Sequence, residues 1–109
     1  MMTKDEVLAK LIEIYTDTSI PVTAAGGVFA FQYGEEVVDK YKPSDLIHEA
    51  HTIDSRIKPR YGAELGSAFN MFRFFRANPS LFSAKHSLAT KTSSSFHFYQ
   101  NQLLLFLLV

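Results

Sequence analysis

The stretch that decides the fold is Val22–Lys42, VTAAGGVFAFQYGEEVVDKYK. Its middle, GGVFAFQY, alternates Phe29 and Phe31 after two glycines, which fits a strand. The helical count is better. At about 100° per residue, Gly26, Gly27, Phe29, Ala30, Phe31, Tyr33, Gly34, Val37, Val38 and Tyr41 fall on one half of a helix. Gln32, Glu35, Asp39 and Lys42 fall opposite. One row reads Gly26, Ala30, Gly34, small at every fourth position, and such rows let a second helix approach closely. Each glycine costs about 1 kcal/mol of helix propensity, so the row needs a packing reason. The stretch therefore predicts a helix over 21–42, opened by Pro21, whose missing N–H is harmless in a first turn.

Working outward toward the N-terminus, Thr3 and Glu6 have the spacing of a capping box, and Met2 and Val7 that of a hydrophobic staple. Val7, Leu8, Leu11, Ile12 and Tyr15 then recur at helical intervals, predicting a helix over 4–16. In the other direction Pro43 stops the second helix and Ser44 can cap a third, over 45–58. Its apolar stripe is Leu46, Ala50, Ile53 and Ile57, and Pro59 closes it. A fourth helix runs over 61–77 with Leu65, Ala68, Phe69, Phe72 and Phe75 on one face, and Asn78-Pro79 ends it. LFSAKHSLATK reads as a short fifth helix and TSSS at 92–95 as a linker. The end, FHFYQNQLLLFLLV, carries no charge. The expectation is an all-α chain: a compact bundle of four main helices in a domain over 1–91, followed by a Ser-rich linker and apolar tail over 92–109. Short connections favour antiparallel neighbours.

The totals fit one small domain of 109 residues with an aromatic core of ten Phe and five Tyr. With no Cys, disulfide scaffolds and thiolate metal sites are excluded. MMTKDEVLAK lacks the apolar run of a secretory signal, so the chain reads as mature and cytoplasmic, or peripheral to a membrane. No apolar run approaches the ~20 residues of a spanning helix. The abrupt change of composition after about residue 91 also fits an altered end of a longer protein. The zero net charge hides a split. Residues 1–55 hold four Lys against ten Asp/Glu, and residues 56–109 hold seven Lys/Arg against Glu64 alone. Two halves that fold against each other explain that split; so does a basic surface for an anionic partner.

HEAHTID, His48–Asp54, is the densest cluster of titratable groups. A zincin needs H-E-x-x-H, with two His four apart on one helical face. Here His51 comes one position early and Thr52 stands at the ligand position. A looser metal set remains, Asp45, His48, His51 and Asp54, with Glu49 between them, and its D-x-x-H spacing resembles that of di-metal helix bundles. The predicted phase turns both His away from the core, so the expected role is an exposed polar face, and no cofactor is expected.

The second candidate is MFRFFR, Met71–Arg76, with Arg56, Lys58 and Arg60 upstream. Phe69, Phe72 and Phe75 belong to the predicted core face, which leaves Phe74 beside Asn70 and Arg73 on the polar side. Asn70, Arg73, Phe74, Arg76, Arg56, Lys58 and Arg60 form the expected partner-binding set. Aromatic and Arg side chains are the usual anchors of protein contacts. Protein partners or self-association are expected first, an anionic membrane surface second, nucleic acid after these. AAGG, Ala24–Gly27, lacks the lysine and preceding strand of a phosphate loop. His86 and His97 are isolated, and no catalytic triad can be assembled from spacing alone. The sequence therefore predicts a small non-enzymatic helical protein working through protein contacts: an assembly subunit, adaptor or inhibitor of the immunity-protein kind. Peripheral membrane association through the basic 56–91 region and the tail is the alternative. A metal-dependent enzyme using the 45–54 cluster is the second alternative.

Overall fold

A computed structural model of the chain describes residues 1–80. The expected fifth helix, the linker, the apolar tail and the boundary near residue 91 lie outside the described residues. Within them the protein is all-α, with α1 (Lys4–Tyr15), α2 (Val22–Val37), α3 (Pro43–Ile53) and α4 (Tyr61–Ala77).

α1 starts on the capping box. Thr3 Oγ1 accepts from the Glu6 amide at 3.2 Å and Glu6 Oε1 accepts from the Thr3 amide at 3.1 Å, so two orphan donors are satisfied. The Thr3 bonds hold the Glu6 carboxyl below its ordinary range. α2 is a helix, not a strand, and its small row explains why. A Cβ at Gly26 would lie 3.0 Å from Tyr15 Oη and 3.3 Å from Leu65 Cα, and one at Gly34 would lie 2.7 Å from the Phe72 ring. Ala30, between them, is fully buried. Close packing from α1 and α4 offsets the propensity lost at these glycines.

Two boundaries differ from the expectation. α2 ends at Val37 rather than near 42, because Pro43 becomes the first residue of α3 and forces Lys42 into extended backbone, φ −83° and ψ 132°. The chain needs residues 38–42 to turn, and Lys42, not Ser44, takes the cap position without a side-chain bond. α3 ends at Ile53 rather than 58. Asp54 is extended, and its carboxylate accepts the Arg56 amide at 3.0 Å, an Asx turn that competes with the helix. Ile57 is still buried, from the loop, whereas Ile53 is 63% exposed and Ile47 takes the core position.

The packing has a definite direction. Met2 N donates to Glu36 and Tyr15 reaches Gly26, so α1 runs antiparallel to α2. Gly26 meets Leu65, Phe29 stacks on Phe69, Gly34 meets Phe72 and Arg73 reaches Val38, so α2 and α4 run parallel. The expectation that short connections join antiparallel neighbours holds for α1 and α2; α2 and α4 are separated in the chain by α3, which carries it back so that they run parallel. α3 packs on both α1 and α4, with Lys4 and Glu49 paired at 2.7 Å and the Ser44 backbone against Gly62. The core is aromatic and aliphatic, with Leu11, Phe29, Leu46, Ile57, Leu65 and Phe69 fully buried. Among the described residues no helix is long and apolar enough to cross a membrane.

Candidate functional site

The last two turns of α4 carry four of the seven expected partner-binding residues. Phe72 and Phe75 face inward, and a helix places the residue between them on the opposite side. Phe74 is accordingly 50% exposed, one of few large apolar side chains at the surface among the described residues. It is the outer end of a chain of edge-on rings. Phe72 meets Phe31 at 5.9 Å, Phe31 meets Phe75 at 5.6 Å and Phe75 meets Phe74 at 5.8 Å. The aromatic core thus reaches the surface at this end.

The arginines beside Phe74 are held by the C-terminal end of α2. Arg73 donates Nη2 to the Val38 carbonyl and Nη1 to Asn70 Oδ1, both at 3.0 Å. Arg76 makes a two-pronged contact with Asp39, at 2.8 and 3.2 Å, and its guanidinium lies 5.7 Å from the centre of the Phe72 ring. Cations suit this place, because the carbonyl end of a helix carries partial negative charge. The Arg76 bonds hold the Asp39 carboxyl below its ordinary range, and Asp39 in turn raises Arg76. This pairing also shows the acidic and basic halves of the chain folding against each other. Phe74 therefore sits beside two guanidiniums, one tied to Asp39 through two of its nitrogens and the other to Val38 and Asn70.

Arg56, Lys58 and Arg60 do not join this face. They lie in the turn between α3 and α4, and a helix rising 1.5 Å per residue separates Arg60 from Arg76 by about 24 Å. Arg56 is committed to Asp54, 2.7 Å away, which lowers the Asp54 carboxyl. Arg60 lies over the Tyr61 ring at 5.7 Å, and Lys58 is exposed. The basic residues that look continuous in sequence form two separate groups.

The His and carboxylate residues of α3 are dispersed as well. Asp45 and His48 are exposed, Glu49 pairs with Lys4, and Asp54 with Arg56. His51 is half-buried, its Nδ1 2.7 Å from the Ile57 carbonyl. A carbonyl only accepts, so Nδ1 carries the proton and the ring fastens the α3–α4 turn. Among the described residues no three His, Cys, Asp or Glu side chains come together as a group that could hold a metal ion.

One pair went unnoticed in the sequence. Tyr15 Oη and Glu64 Oε1 are both buried without a hydrogen-bond partner. Glu64 looked like the lone acid of a basic half, and Tyr15 like an ordinary apolar position of α1. Only the contact between the two helices makes them a pair, although the solitary acid among seven bases was a visible signal. Comparison of the chain with protein-family models, with curated proteins and with solved structures finds no match.

Proposed function

We propose that this chain is a non-enzymatic contact protein, an adaptor, assembly subunit or inhibitor, that receives a protein partner on the end of α4 around Phe74. The observation that carries the reading is the half-exposed Phe74 at the end of the ring chain Phe72–Phe31–Phe75. An aromatic side chain held in a rigid frame loses little entropy on binding, and aromatic and Arg groups dominate the energetics of protein contacts. The frame also selects the partner. Arg73 and Arg76 already bond Val38, Asn70 and Asp39, which fixes the direction of their remaining N–H donors. The fitting partner presents an uncharged apolar surface to Phe74 and hydrogen-bond acceptors to the rim.

The test is affinity capture with three baits: the full chain, Phe74→Asp, and a chain lacking residues 96–109. Far-UV circular dichroism confirms that each is folded. A partner held by the full chain and the shortened chain, and lost at least tenfold by Phe74→Asp, supports the reading. Equal capture by Phe74→Asp overturns it. Loss only on removal of 96–109 moves the contact to that segment.

A further inference from the structure

The opposite end of α4 holds the buried pair. Tyr15 is only 7% exposed, and neither its hydroxyl nor Glu64 Oε1 has a hydrogen-bond partner. A buried polar atom left unbonded is costly, so such a pair in one niche calls for a physical reason. Gly26 gives room to the Tyr15 hydroxyl and to the backbone of Glu64. The point where a Cβ of residue 26 would sit is 3.0 Å from Tyr15 Oη, 3.3 Å from Leu65 Cα and 3.5 Å from the Glu64 carbonyl. Tyr61, one turn before Glu64, stacks on Tyr15 with ring centres 5.1 Å apart and planes within 13°. Arg60 stands four residues before Glu64 on the same helical face.

Glu64 thus has two places to go. Inward, one of its carboxyl oxygens is withdrawn from solvent near a neutral phenol, while the side chain as a whole is half-buried. Outward lie solvent and the Arg60 guanidinium. Desolvation favours the neutral acid in the first place, and charge pairing favours the carboxylate in the second. We propose that Glu64 is a proton-operated side chain: neutral, it packs inward near Tyr15; ionised, it turns outward to Arg60 and water and loosens the Tyr15–Tyr61 stack between α1 and α4.

The surrounding charges agree. Burial raises the Glu64 carboxyl above its ordinary value of 4.5, and Arg60 opposes that rise. Tyr15 is itself raised, by burial first, then by Glu64 and Tyr61, and stays a neutral hydroxyl across the whole range. From α1 the titratable group facing Glu64 is Tyr15, and from α4 they are Tyr61 and Arg60. Gly26 of α2 brings none, and among the described residues no α3 side chain contributes to the shift of Glu64. Proton release here goes to solvent and requires no other reactant.

A folded-state value above the unfolded one means that the folded chain binds the proton more tightly. The stability this contributes is full below about pH 4.5 and is lost as pH rises through the folded value.

The test is carbon-13 NMR titration of the Glu64 carboxyl in the full chain, with the Tyr15 and Tyr61 ring signals followed in the same samples. The expected result is a Glu64 midpoint above 4.5, shared by both ring signals. Arg60→Gln raises that midpoint further, because it removes the one opposing charge. Glu64→Gln abolishes the ring transition and raises Tm at neutral pH with no gain at pH 4. A Glu64 midpoint at or below its ordinary value overturns the proposal. So does a midpoint unmoved by Arg60→Gln, or ring signals that do not follow Glu64.

Discussion

At the scale of single residues, the same substitution is expected to act with opposite sign at two glycines of this bundle. A Cβ at Gly34 would fall 2.7 Å from the Phe72 ring, which is buried and packed edge-on against Phe31. Overpacking of this kind costs about 1–3 kcal/mol. Gly66 has no atom within 4 Å of the equivalent point. There alanine adds helix propensity without a clash and stabilises by about 0.5–1 kcal/mol. Urea unfolding of Gly34→Ala and Gly66→Ala checks both. A Gly34→Ala chain as stable as the parent would show that α4 does not rest on the small row of α2. The row itself was legible in the sequence, because small residues at every fourth position are a pattern along one chain. Which helix uses it was not, since Phe72 lies 38 residues further on.

At the scale of elements, legibility followed the distance over which each signal acts. The start of α1 was readable because Thr3 and Glu6 are local partners. The bounds of α4 were readable because a long apolar period ends at Asn78-Pro79. The end of α3 was misplaced because Ile57 continues the helical period while sitting in a loop, held there by His51 and the Asp54 turn. That error also turned the stripe toward Ile53. The consequence can be measured. Ile47→Ala is expected to cost about 2–5 kcal/mol, as for other filled core positions. Ile53→Ala is expected to stay within about 0.5 kcal/mol, as for surface positions. Urea midpoints of the two variants settle the face of α3, and a larger loss at Ile53 would contradict it. The candidate site shows the same limit. Phe74 was picked out by helical phase alone, whereas the partners of Arg73 and Arg76 lie on α2, beyond the reach of any local pattern.

At the scale of the whole molecule, the charge split becomes a prediction about pH. Glu6, Asp17, Asp39 and Asp54 are held below their ordinary values, in each case first by hydrogen bonds. Depressed carboxyls contribute stability that is present above their unfolded values and lost as pH falls through the folded ones. This gives an acid limb below about pH 4. Glu64 acts in the opposite sense and lowers stability above its ordinary range. The profile of urea midpoint against pH is therefore expected to peak near the ordinary carboxylate values and to decline on both sides. The charge-paired part of the acid limb, as at Asp39 and Arg76, should shrink in about 0.5 M salt, whereas the upper decline comes from burial and should persist. Of the four acids, Asp39 alone pairs with a base far along the chain, Arg76 of α4. Asp39→Asn should accordingly make the acid limb shallower and leave the upper decline unchanged. An acid limb identical in the variant would mean that Arg76 is held at this end by Phe72 and not by the carboxylate, and that the frame around Phe74 does not depend on charge.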